Sequence, residues 1–390
     1  MRIGRSSAKF DLLVCRLRLS SAYDRYFWGD ALANDVTEEL TSKQRVAAAL
    51  SGRPYDRIPV NLLISDHAAQ FAQVSVTEYE SSPELLVKGQ VEAYRYYGHD
   101  YINVGPGLAG IPEAFGAKVV IPPASNPYVA APAIESFSEM PRLKRPNPES
   151  SARLPIFLRA AEIAQKLVGE EVPLTMTVAA PFTTACNVYG TERLLRELWR
   201  NTSAVHELLR LTTDAIIDFS RAAIQRGARV GLADPTASGS VIGLKAFKAF
   251  AFPYTKEVVQ AITHETGGVA PSLHVCGRTQ TLWSYLADTG TSALSLDDIV
   301  DLGEAKTAVG SRVTLIGNIR PTASIYLGTP NDVVTNAKEC LAKAYDSPKG
   351  FVLGLGCGLP VNAPRENVLA LVDAAREFGR YPLDPVAFAA

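Results

Sequence analysis

The sequence predicts an α/β protein built as a single, distorted (β/α)8 TIM-type barrel with an N-terminal extension. Three observations carry this. Eight short β-branched or apolar runs recur along the chain, each followed by Gly, Pro, Asn or Asp and then, in most cases, by a helical pattern. The chain has 390 residues, long for one ordinary domain but usual for an α/β barrel. No glycine fingerprint follows the first run, which argues against the alternative, a doubly wound open sheet.

The elements follow in order. Residues 1–40 hold scattered aromatics (Tyr23, Tyr26, Phe27, Trp28) and acids without a sustained period, so they read as an extension, either one or two docking helices or partly disordered chain. The barrel domain is expected over 41–390. Thr41 or Ser42 caps a first helix through Leu50, which Gly52 and Pro54 stop. The eight strands are expected at 58–64, 101–104, 174–178, 229–232, 272–275, 293–296, 313–316 and 351–355. The helices between them fall at 85–97, 154–168, 192–226, 244–266, 279–289, 302–309 and 330–345, and a last helix at 364–378 closes the chain. Residues 105–148 are Pro-rich and poorly periodic. They predict an excursion over the barrel mouth, with a short hairpin around 118–121, serving as a lid or binding loop.

Composition excludes several classes. With 47% apolar and 20% charged residues and a net charge of -1, the chain is neither a disordered acidic protein nor a polybasic nucleic-acid binder. Five cysteines are too few for a disulfide scaffold. Arg16 and Arg18 interrupt the apolar run near the start, so no signal peptide is read there, and no run is long enough to span a membrane. A cytoplasmic protein with reduced thiols is expected, with no nucleic-acid or membrane partner.

One local motif carries chemistry: His274 and Cys276 in SLHVCG. Two residues apart on a strand, their side chains share a face, and both stand at the strand's C-terminal end, the catalytic side of such a barrel. Cys357, between glycines in GLGCGLP, follows the eighth strand on the same side. Two thiolates and an imidazole are a ligand set that zinc favours, and three protein ligands leave a position open for substrate. A His-x-Cys pair alone is more often core packing, and the distant Cys357 is what shifts the balance toward a metal. Cys15, Cys186 and Cys340 read as packing residues, and His67, His99, His206 and His264 as surface or satisfied core residues. Other strand ends offer polar groups. Asp234 and Asn318 are candidate catalytic residues, Asp234 as an acid beside the metal or as a turn residue before Pro235. Thr183 and Tyr189 are candidates for cofactor contact. Asp66 and His67 follow the first strand, and Arg320 reads as an anion contact or a rim arginine.

At these residues the chain resembles the uroporphyrinogen decarboxylase superfamily, over roughly 40–381. The blocks LADTGTSALSLDD, VGSRVTLIGNIRPT, GFVLGLGCGLPVNAPRENVLALVDAAREFGR, VAAPFTTACNVYGTERLLREL and ADPTASGSVIGLKAFKAFAFPY carry the resemblance. It implies a distorted (β/α)8 barrel. The decarboxylase branch has an arginine-rich motif after the first strand and a histidine in a GHGI-like turn. Here these stretches are PVNLLISDHAAQ, without arginine, and GCGL, with Cys357. The chain is more similar to the cobalamin-dependent methyltransferases, such as methylcobamide:coenzyme M methyltransferases, in which a His-x-Cys and a distant Cys bind zinc. His274, Cys276 and Cys357 match that pattern. The resemblance implies methyl transfer between a corrinoid, presented by a separate small corrinoid-binding protein, and a small substrate, most simply a thiol such as coenzyme M. A methyl ether or methyl halide as donor, tetrahydrofolate as acceptor, or decarboxylation are the alternatives.

Overall fold

The computed structural model describes residues 38–388 apart from Gly52 and Pro54. The expected extension over 1–40, Cys15 and the Gly52/Pro54 helix stop thus lie almost wholly outside the described residues. Eight parallel strands form one curled sheet: β1 (Val60–Asn61), β2 (Ile102–Asn103), β5 (Leu174–Ala179), β6 (Arg229–Ala233), β7 (Ser272–Val275), β8 (Ala293–Leu296), β9 (Thr314–Ile319) and β10 (Phe351–Leu355). Their order is β1-β10-β9-β8-β7-β6-β5-β2, the sequential winding of a (β/α)8 barrel. β3 (Lys118–Val120) and β4 (Tyr128–Ala131) form the antiparallel hairpin expected in the excursion.

The strands are buried where the sequence is continuously apolar: every residue of β8, β9 and β10 is buried. This is the pattern of a parallel sheet covered on both faces. β1 and β2 are much shorter than expected. After Asn61 the chain leaves the sheet, because Leu63 and Ser65 take left-handed backbone, with φ of 45° and 37°.

The short strands leave a seam. β1 and β2 share no ladder, and Asp100 joins them instead. Its N–H donates to Val60 O at 2.9 Å, and its carboxylate accepts from Val60 N at 2.7 Å. Arg45 and Arg57 each donate to the same carboxylate at 2.7 Å. Both arginines are buried, and their charges hold the Asp100 carboxyl low despite its burial.

The helices follow the expected pattern with local breaks. Thr41 caps Ser42–Leu50 through a reciprocal capping box with Gln44. Pro181–Tyr189 is an additional helix, begun by Pro181 and ended at Gly190, whose φ is 94°. The expected long helix over 192–226 divides into Thr191–Glu197 and Thr202–Gln225. The one over 244–266 contains a π turn, Phe247–Ala251, before Phe252–Glu265. Pro253 lacks the N–H that a regular helix would use there, and the wider turn absorbs the loss. No described helix is long and apolar enough to cross a membrane.

The barrel interior is not filled. Asn61, Asn103, Thr177, Gly231, Ser272 and Ile316 form a thin layer across the axis. A cavity of about 290 Å³ lies on its C-terminal side and one of about 440 Å³ on its N-terminal side.

Candidate metal centre and its cavity

Three strand ends bring the proposed ligands together. His274 sits on β7, Cys276 one residue past its end, and Cys357 two residues past β10. One donor atom from each lies within 4.8 Å of the others. His274 Nε2 is 3.1 Å from Cys276 Sγ, and the two Sγ atoms are 4.0 Å apart. All three are half-buried at the cavity wall.

The spacing can be compared with what an ion requires. Tetrahedral zinc with Zn–S of ~2.3 Å and Zn–N of ~2.0 Å places two sulfurs ~3.8 Å apart and N and S ~3.5 Å apart. The observed distances differ from these by a few tenths of an ångström, within side-chain adjustment. His274 is also oriented as a ligand. Its Nδ1 faces Ser295 Oγ at 3.0 Å and Ser295 O at 3.2 Å, which leaves Nε2 pointing at the sulfurs. The donor set therefore fits zinc. Contact with Cys276 and then with His274 pulls the Cys357 thiol down to about 4, while the same sulfur contact and burial push Cys276 far up.

Two glycines make this geometry possible. Gly277 turns the chain directly after Cys276 with φ of 79°, and a Cβ there would meet Ser238 Oγ at 2.7 Å. A Cβ on Gly356, before Cys357, would meet Asp298 N at 2.4 Å, so only glycine lets the two loops approach.

The other expected site residues have different duties. Asp234 Oδ1 accepts from Thr183 N at 2.9 Å and Thr183 Oγ1 at 2.7 Å, and neither residue lines the cavity. Burial pushes the Asp234 carboxyl up to about 6, opposed by the Thr183 hydrogen bonds. Its backbone N–H donates to His274 O at 2.8 Å, so it braces the ligand strand from behind. Asn318, expected as catalytic, donates both amide hydrogens to backbone, Asp297 O at 2.9 Å and Val300 O at 2.7 Å, and so fixes the loop after β8. Tyr189, expected at a cofactor, stacks on Phe137 with centroids 4.4 Å apart and holds the excursion against the barrel. Arg320 pairs with Glu339 at 3.2 Å on the rim.

Among the remaining residues, Cys186 and Cys340 are buried, as expected of packing thiols. His67 is also buried, bonded to Val361 O and Tyr97 Oη, and burial pushes it down to about 4. Asp66 does reach the cavity. Two residues were missed from the sequence. Ser295 orients His274, and Asp297 accepts from Gly277 N at 2.6 Å, fixing the turn after Cys276. Both lie in the block ALSLDD, where a polar residue breaking an apolar strand was the available signal.

The cavity mouth is partly roofed by the excursion, through Leu108, Asn126 and Pro127. Residues 41–378 match the family model described as uroporphyrinogen decarboxylase (URO-D). A methylcobamide:CoM methyltransferase of Methanosarcina mazei is 27% identical over 87% of this chain and 99% of that protein. A uroporphyrinogen decarboxylase of Coxiella burnetii is also 27% identical, over 88% of this chain and 97% of its own length. The solved structure of a methyltransferase from Methanosarcina mazei superposes with a TM-score of 0.79 at 26% identity, covering 87% of this chain and 99% of that one.

Proposed function

The chain belongs to the uroporphyrinogen decarboxylase family, and on that premise we propose that it is a zinc-dependent methyltransferase that moves a methyl group between a corrinoid and a small thiol. The observation that carries this is the His274, Cys276 and Cys357 set, with His274 already oriented by Ser295 and the cavity open beside it. Methyltransferase relatives covered over 99% of their length support it. Zinc held there supplies a Lewis acid that makes an entering thiol acidic near neutral pH.

The chain's own residues do the rest. Cys276 and Cys357 would hold the ion as thiolates, so metal uptake would release acid. Ser295 keeps the His274 proton on Nδ1 and the Nε2 lone pair free. Asp297 and Gly277 hold the turn that aims Cys276. A corrinoid is far larger than a cavity of about 290 Å³, so it works from the mouth, carried by a separate small protein. Leu108, Asn126 and Pro127 then screen the reacting methyl group from water. The net transfer breaks a carbon–cobalt bond, forms a carbon–sulfur bond and releases the thiol proton.

Decarboxylation is the second reading, because decarboxylases of the same family are equally similar. Among the described residues lining the cavity there is no Lys or Arg to hold substrate carboxylates, which favours the methyltransferase. Metal analysis tests the choice. About one zinc per chain, lost in Cys276→Ser and Cys357→Ser, is expected. Loss of the methylcobalamin spectrum when thiol is added to the zinc protein is expected as well. A metal-free protein that is fully active in that assay refutes the reading.

A further inference from the structure

The cavity also carries information about the far end of the substrate. Its wall includes Ser65, Asp66 and Glu80 as well as the candidate metal centre. Asp66 and Glu80 are 4% and 7% exposed, and Glu80 neighbours the Asp66 carboxyl. Burial and the neighbouring Glu80 raise the Asp66 carboxyl well above its usual range. The nearest cation is already used. Arg153 donates to Glu80 at 2.6 Å and to Glu113 at 2.8 Å, and it does not line the cavity. The loop presenting Ser65 and Asp66 is held rigidly. Gln90 and Tyr79 donate to Ser65 O, which fixes the left-handed backbone at Leu63 and Ser65.

The rest of the lining offers hydrogen bonds without charge. Asn61 accepts from Leu63 N through Oδ1 at 3.1 Å, and its Nδ2 has no partner among the described residues. A substrate anion entering this space would meet two buried carboxyl groups and no Lys or Arg in the described lining, an arrangement that disfavours its binding. The enclosed cavity shared with the ligand triad, and not the acidic pair alone, is what makes this a matter of substrate choice.

We propose that the site takes a small thiol whose end remote from the sulfur carries no negative charge, and that Glu80, with Asp66, excludes anionic thiols. This rests on the methyltransferase reading above and narrows its substrate class. The sulfonate-bearing thiol named for the relatives is then a poor substrate for this chain.

The test uses the full-length, zinc-loaded protein, methylcobalamin, and three thiols on one two-carbon frame: 2-mercaptoethanol, cysteamine and 2-mercaptoethanesulfonate. Values of kcat/KM for the neutral and the cationic thiol are expected to exceed that of the sulfonate by at least about 100-fold. Calorimetric titration of the same thiols without methylcobalamin is expected to give the same order of affinity. Glu80→Gln removes the negative charge and is expected to narrow the discrimination against the sulfonate at least about tenfold, with folding checked by thermal melting. Methyl transfer with the sulfonate equal or preferred overturns this proposal and leaves the methyltransferase reading standing. Failure of all three thiols to bind or react, with zinc present, overturns both. Discrimination unchanged in a folded Glu80→Gln protein removes Glu80 as its cause.

Discussion

Replacing Ser295 by alanine removes the closer of the two acceptors that hold the His274 ring. Oγ lies 3.0 Å and the carbonyl oxygen 3.2 Å from Nδ1. Losing an outer partner of a zinc-bound histidine weakens metal binding by about 10–100-fold. Here the carbonyl remains as a second acceptor, and the cavity can admit water in place of the hydroxyl. The loss therefore falls at the lower end, roughly tenfold, or about 1.4 kcal/mol. Competition for zinc against a chromophoric chelator measures it, with the melting temperature as a control for folding. Cys357→Ser, which removes a ligand, is expected to lose far more. An affinity within about twofold of wild type refutes the claim that Ser295 orients the ligand. A loss as large as that of His274→Ala refutes the claim that two acceptors share the ring.

Three further outcomes follow from the geometry. Asp100→Ala leaves Arg45 and Arg57 buried without their shared partner and is expected to cost about 3–5 kcal/mol in urea unfolding, and a loss below about 1 kcal/mol would contradict the seam's dependence on it. Asp234 binds its proton more tightly in the folded protein, at about 6 against 3.8, so the stability it confers is full below about pH 4 and fades as pH rises through 6. Asp234→Asn is expected to flatten that dependence by up to about 3 kcal/mol, since the amide oxygen still accepts from Thr183, and an unchanged stability–pH curve counts against the shift. Gly277→Ala forces a side chain into left-handed backbone and against Ser238, costing at least about 1–2 kcal/mol and lowering zinc affinity with it, as denaturation and chelator competition would report.

The parts of the fold that were legible are those where one physical effect dominates. β8 to β10 are largely apolar runs buried throughout, and each was found within a few residues. β1 and β2 were overextended because the 58–64 run is as apolar as a strand while its backbone turns left-handed at Leu63 and Ser65, which composition does not announce. The grouping of His274, Cys276 and Cys357 was legible because strand periodicity alone places His274 and Cys276 on one face, and Cys357 stands in a glycine-flanked turn. Asn318, Thr183 and Tyr189 were expected at the site but engage other partners, for a common reason. A polar residue at a strand end serves a substrate or satisfies backbone and carboxylate neighbours, and only the tertiary partners distinguish the two. Ser295 was missed for the complementary reason: the polar break in its strand can be seen, but its role exists only through the register that sets His274 beside it.

The thin layer across the barrel axis has an evolutionary consequence. Most of the residues separating the two cavities are small or amide-bearing, and Gly231 is one of them, where a Cβ would meet only Ser272 Oγ, at 3.0 Å. A substitution there changes the depth of the reaction chamber without disturbing the ligand triad or the outer helices. Cavity depth and the proposed metal centre thus rest on different residues, so a lineage can exchange one small substrate for a longer or shorter one in single steps while the candidate ligands stay the same.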